Sequence, residues 1–220
     1  MNISLFSSLE DFVEASAHVI ADTCEAVKPA NIAISGGDTP RPIYEYIMRK
    51  RSWAFYGARF FLVDEKYVPR THRLSNYRLA EETIGKRRDT EIVGFDTALS
   101  AAQAMKQYEQ ELKVVPEQSF DLTVVGIGHD GHIASLFPFS PALKTNKKLF
   151  VHTRTEQFPI PERLTMTFSL IMKSKKILVL LSGKRKRGII GTILANQCSV
   201  EDFPAMKLYQ HPNVVIHYLT

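Results

Sequence analysis

The chain has 220 residues, 45% of them apolar and 23% charged, with 11 Gly, 11 Pro and a net charge of +5. That balance excludes a long disordered, collagen-like or coiled-coil chain, and the length is ample for a buried core. No apolar run reaches the roughly 18 to 20 residues of a membrane span. The start, Met1-Asn-Ile-Ser-Leu-Phe6, has no basic segment and soon meets Glu10 and Asp11, so no secretory signal is expected. Cys24 and Cys198 stand far apart without a CxxC, which fits a reduced cytoplasmic chain.

The positive charge is uneven. Residues 1–110 carry 14 basic and 15 acidic groups, whereas residues 111–220 carry 14 and 8, including Lys184-Arg-Lys-Arg187. An anionic partner fits this bias, either nucleic acid or a small phosphorylated ligand, and so does a solvated basic face. Composition does not choose between them.

In chain order, residues 8–27 have the apolar spacing of an amphipathic helix, with Ser8 as its cap. Residues 31–35 read as a short buried strand ending on Gly36-Gly37, and Pro40 and Pro42 open a helix that runs to Lys50. Residues 59–63 form a second strand, followed by a polar loop from Asp64 to Leu74. Ser75 is placed to cap a helix reaching Ile84. Residues 99–112 are a further helix, 120–125 a strand ending on Gly126, and 149–153 a strand candidate. Residues 176–181 are a strand ending on Ser182-Gly183 before a basic helix start, and 214–218 the last strand. Strands alternating with helices predict an α/β fold, a mainly parallel sheet covered on both faces, in one domain.

Three of these strands run into glycine: Ser35-Gly36-Gly37, Gly126-Ile-Gly128 and Ser182-Gly183. In open parallel sheets ligands bind beyond the carboxyl ends of strands, so the three loops are expected at one rim. Ser35-Gly-Gly-Asp-Thr-Pro40 has the makings of a phosphate cradle, or of a tight turn that needs glycine. Asp38 would repel phosphate and could instead cap the helix. Gly126-Ile-Gly-His-Asp-Gly131 matches the dinucleotide fingerprint only loosely, since Pro138 and Pro141 interrupt the following helix.

The same segment offers His129, Asp130 and His132. A strand-end histidine oriented by a carboxylate can act as general base, and metal ligation is the alternative, although no second pair has metal spacing. His18 and His217 fall in periodic segments and read as structural; His152 and His211 stand alone. Asp64-Glu65-Lys66 would reach the same rim, where neighbouring acids can shift each other's pKa or simply form a solvated turn. Arg163 and Lys186 are the cations available to an anion.

Taken together, Ser35-Gly-Gly-Asp-Thr-Pro40, Phe61-Leu-Val-Asp-Glu-Lys-Tyr-Val-Pro69 with Ser75-Asn76-Tyr77, and Gly126-Ile-Gly-His-Asp-Gly-His-Ile-Ala-Ser-Leu-Phe-Pro138 resemble the 6-phosphogluconolactonase family. That family shares a superfamily with glucosamine-6-phosphate deaminase. Pro161-Glu-Arg-Leu-Thr165 and Ser182-Gly183 to Lys186 extend the resemblance across nearly the whole chain. It implies a three-layer α/β/α sandwich with a Rossmann-like sheet. The implied activity is hydrolysis of 6-phospho-D-glucono-1,5-lactone in the oxidative pentose phosphate pathway, without metal or organic cofactor.

By the same resemblance, His132 is the base, Asp64 or Asp130 orients it, and Lys66 or loop N–H groups hold the oxyanion. Gly36, Gly37, Asp38, Thr39, Asn76, Arg163 and Lys186 bind the substrate and its phosphate. The partner expected is a sugar-phosphate lactone, with no nucleic acid or membrane, and weak homo-oligomerisation is left open. The deaminase branch carries Phe-Asn-Glu-Pro after Asp-Gly-His-Ile-Ala; Phe137 occupies that glutamate position and disfavours deamination. Asp38 stands where the family usually has Ser, Lys66 where it has Arg, and the C-terminal Asp-x-Ala is missing. Lysine keeps the charge of arginine but loses its planar fork.

Overall fold

The computed structural model describes residues 1–87 and 89–220. Its elements are β1 (Asn2–Phe6), α1 (Leu9–Ala26), β2 (Asn31–Ile34), α2 (Arg41–Lys50), β3 (Arg59–Leu62), β4 (Asp64–Lys66), α3 (Asn76–Thr83) and β5 (Glu91–Val93). They continue with α4 (Ala101–Glu111), β6 (Leu122–Gly126), β7 (Phe150–Arg154), β8 (Glu162–Met166), α5 (Phe168–Ile171), β9 (Ile177–Ser182), α6 (Arg187–Ala195) and β10 (Val214–Leu219). Ser8 caps α1 by accepting from the N–H groups of Glu10 and Asp11, and Ser100 with Gln103 forms a capping box on α4.

Seven strands pair in parallel in the order β1-β10-β9-β6-β2-β3-β5. Such strands are buried on both faces, and β9 shows how the alternation is used. Ile177, Val179 and Leu181 enter one core, while Leu178 and Leu180 enter the other. The second core lies under α1, α2 and α3, with Phe12, Ile20, Ile43, Ile47 and Leu79 buried there. The first lies under α4 and α6 through Tyr108, Leu112, Ile189 and Ile193. Full burial of each large apolar side chain contributes about 1.5 to 3 kcal/mol.

A second sheet, β4-β8-β7, is antiparallel and joins the first core through Leu164 and Met166. One outer layer is therefore partly a small sheet and not helices alone. It also corrects the expectation of a loop from Asp64 onward, since Asp64, Glu65 and Lys66 pair with Thr165, Leu164 and Arg163. β1, β5 and β8 were not expected from the sequence either.

The chain order reverses at β2. It moves outward through β3 to β5, then returns with β6 on the other side of β2 and continues to β9 and β10. This is a topological switch point, where the loops after β2 and β6 diverge and leave a crevice beyond the strand ends. The loop after β9 lies beside it, because β9 pairs with β6.

Candidate active site

The crevice is an open cavity of about 490 Å³. Gly36, Gly37, Asp38, Thr39, Asp64, Lys66, Asn76, His132, Arg163 and Lys186 all line it. Asp130, the remaining site residue expected from sequence, stands behind His132 instead of facing the cavity. Its Oδ1 meets the Nδ1 of His132 at 2.5 Å and accepts the backbone N–H of His132 at 3.2 Å. The imidazole is thus oriented by the carboxylate two residues before it.

Burial pushes the Asp130 carboxyl up, but the ring and backbone hydrogen bonds from His132 outweigh it and leave the pKa below the ordinary value. Asp130 Oδ2 is buried without a hydrogen-bond partner among the described residues. Lys186 supplies positive charge nearby: its Nζ donates to the Ile127 carbonyl at 2.6 Å. Burial lowers the Lys186 pKa, against the attraction of Asp130.

Alternation along β4 separates the paired acids, because successive side chains of a strand point to opposite faces. Asp64 faces the cavity, accepting from Ser135 Oγ at 2.6 Å and from Asn76 Nδ2 at 3.2 Å. Glu65 turns inward with no solvent exposure. Its carboxylate accepts from Ser75 Oγ at 2.9 Å and from the N–H groups of Lys66, Asn76 and Tyr77 at 2.7 to 2.8 Å. It therefore clamps the start of α3 to β4. Burial raises its pKa, and these donors oppose the rise.

The clamp positions Asn76. Its Oδ1 accepts Lys66 Nζ at 2.7 Å, while its Nδ2 donates to Asp64. A Cβ at Gly36 would lie 2.3 Å from Asn76 Oδ1, so glycine lets the first loop meet this side chain. Asp38 does not cap α2: the cap position is Pro40, which makes no side-chain cap bond, and Asp38 is exposed at the cavity. In the first turn of α2, Pro40 and Pro42 carry no N–H and the Ile43 N–H donates to the Pro40 carbonyl at 3.0 Å, so the backbone donors open to an anion here belong to the Gly36–Thr39 loop more than to the helix start.

Lys66 and Arg163 are directly opposed across the β4–β8 pair and both line the cavity. Like charges in that position repel. Arg163 is only 6% exposed, and its Nη1 has no hydrogen-bond partner among the described residues. Burial lowers its pKa, with Asp64 and Glu65 opposing. A buried guanidinium facing another cation calls for an anion.

Sequence reasoning missed Ser135, which anchors Asp64, and Phe158, whose ring borders the cavity. Ser135 lies within the Asp130–Pro138 motif, three residues after His132, and that position was its only signal; Phe158 carries no sequence signal. Of the remaining histidines, His217 is buried and bonded to Ser16 Oγ at 2.9 Å, while His18 is exposed. His152, expected to stand alone, pairs with Glu162 at 2.6 Å, and His211, also expected alone, meets the Ser174 carbonyl at 2.6 Å. Among the described residues, no three His, Cys, Asp or Glu side chains are grouped to hold a metal ion.

A parallel sheet with a switch-point cavity, an oriented histidine and clustered cations defines an α/β protein with a site for a small anionic ligand. The chain belongs to the family of glucosamine-6-phosphate isomerases and 6-phosphogluconolactonases, whose model matches residues 7–216. A Synechocystis 6-phosphogluconolactonase is 33% identical over 184 residues, covering 79% of this chain and 75% of that protein. The crystal structure of a 6-phosphogluconolactonase from Shewanella baltica is similar with a TM-score of 0.89 and 26% identity, covering 100% of this chain and 98% of the other. A monomeric glucosamine-6-phosphate deaminase has the same fold, with a TM-score of 0.87, 24% identity and coverage of 99% and 97%. Backbone shape alone therefore does not separate the two activities; side chains in the cavity must.

Proposed function

We propose that this chain hydrolyses 6-phospho-D-glucono-1,5-lactone to 6-phospho-D-gluconate, the lactone-opening step of the oxidative pentose phosphate pathway. The observation that carries the reading is the pairing, in one cavity, of an imidazole oriented by a carboxylate with a buried guanidinium whose Nη1 has no hydrogen-bond partner among the described residues. With its Nδ1 proton directed to Asp130, His132 keeps a lone pair on Nε2. It removes a proton from water as the oxygen attacks C1, and returns it to the ring oxygen when the tetrahedral intermediate collapses.

The 6-phosphate is taken by the Gly36–Thr39 backbone at the start of α2, with Arg163 and Lys186. Fixing this remote group lets binding energy orient the carbonyl. Lys66 and loop N–H groups stabilise the oxyanion, while Asn76 and Asp64 complete the substrate contacts. Asp130 is the orienting carboxylate, because Asp64 is engaged by Ser135 and Asn76. No metal or organic cofactor enters these steps.

Phe137 favours the lactonase over the deaminase. Its ring centroid lies 4.9 Å from that of His132 at 54°, and an apolar ring can neither orient imidazole by hydrogen bonding nor carry a proton. The whole of residues 1–220 acts as one unit, in the cytoplasm and without nucleic acid. No helix of the described residues is long and apolar enough to cross a membrane. Acid release from freshly prepared lactone, followed by pH-stat against the spontaneous rate, tests the reading; a rate equal to background contradicts it.

A further inference from the structure

Phe158 sits in the loop of residues 155–161 that joins β7 to β8, bracketed by the Thr155 N–H donating to the Pro161 carbonyl at 3.1 Å. The side chain is 39% exposed, so it is not part of the core. It lines the cavity and touches both ends of the site. Its ring centroid is 5.6 Å from that of His132, edge to face at 82°, and 5.9 Å from that of Phe137. On the other side, the Arg163 guanidinium carbon lies 5.9 Å from the same centroid.

A ligand held between His132 and Arg163 has this ring within reach, since its centroid stands within 5.9 Å of both groups. Resting on the lactonase reading, we propose that Phe158 is a specificity-determining residue: its ring is a platform for the C–H face of the cyclic lactone. With its substituents equatorial, the gluco-configured lactone ring presents two axial C–H groups on each face, and aromatic faces attract such weakly positive edges. The open-chain acid has no such face. Phe158 thus favours the ring form over the product and helps the hydrolysed acid to leave. The phosphate contributes equally to both, so discrimination must come from the middle of the molecule.

Three variants separate stacking from bulk. Phe158→Ala removes the ring, Phe158→Leu keeps apolar volume without a π face, and Phe158→Tyr keeps the face. KM and kcat are measured for the phosphorylated lactone, with 6-phosphogluconate as competitive inhibitor. For Ala and Leu, KM is expected to rise about tenfold with kcat changed less than about threefold, and the inhibition constant of the acid less than about twofold. Tyr is expected to restore KM. An unchanged KM in both Ala and Leu variants overturns the proposal, as does a Leu variant as good as Tyr. A parallel rise in KM and in the inhibition constant would assign Phe158 to holding Arg163 and would also overturn it. Absence of lactone turnover by the unaltered chain overturns the lactonase reading and this inference with it, whereas turnover with an unchanged KM in the variants overturns the inference alone.

Discussion

Gly128 and His132 are packed so closely that a Cβ on residue 128 would come within 2.1 Å of the imidazole Nδ1 and Cε1 and 2.7 Å from Asp130 Oδ1. The backbone secures the same approach, with the Gly128 N–H donating to the His132 carbonyl at 2.9 Å. The second glycine of Gly-Ile-Gly therefore makes room for the dyad, which gives the glycine pattern a purpose other than dinucleotide binding.

Gly128→Ala should consequently displace His132. A shift of about 1 Å costs on the order of 10²-fold in rate when geometry is critical. Steady-state kinetics should show this fall in kcat, with the thermal midpoint lowered by only a few degrees. Full activity in the folded variant would mean that His132 position is not critical.

Asp130→Asn tests the orienting bond. The amide can present a donor to Nδ1 and stabilise the wrong tautomer, and kcat should fall by about 10²- to 10⁴-fold. Stability carries a second signature. Because the folded pKa of Asp130 is depressed, its contribution is complete above its ordinary value of 3.8 and is lost as pH falls through the lower folded value. Thermal midpoints measured from about pH 5 down to pH 2 should fall less steeply in the variant than in the unaltered chain.

Glu65→Gln should destabilise the chain by about 2 kcal/mol, since the amide cannot accept from every donor now converging on the carboxylate. Denaturant titration measures the loss. The activity remaining at a temperature where the variant is folded should show a raised KM, because Asn76 is held through this clamp.

Much of this site was legible because parallel strands of continuous apolar residues end on glycine. β2, β6 and β9 declared both themselves and the rim where their loops meet. β1 was not, because the alternation in Asn2-Ile-Ser-Leu5 spans only four residues and is broken at Phe6, and the side chains of the strand are largely exposed. β4 is three residues long and charged, so it reads as loop until β8 is there to pair with it. The separation of Asp64 from Glu65 depends on that pairing, and sequence adjacency made them look like partners. Gly128, Ser135 and Phe158 owe their roles to contacts that only folding creates.

Lys186→Met tests the phosphate site. Charge-assisted contacts to phosphate contribute about 1.5 to 3 kcal/mol each, so kcat/KM for the phosphorylated lactone should fall by about ten- to a hundredfold. Unphosphorylated glucono-1,5-lactone should be hydrolysed almost as before. Equal losses on both substrates would remove Lys186 from the phosphate site.

The central claim is that His132 is the base that activates water at C1. The most direct measurement is the turnover of freshly prepared phosphorylated lactone by the unaltered chain and by folded His132→Asn, run side by side with spontaneous hydrolysis subtracted. The account predicts a fall in kcat of about 10²- to 10⁴-fold with KM little changed. Near-unaltered turnover by the folded His132→Asn variant would contradict it.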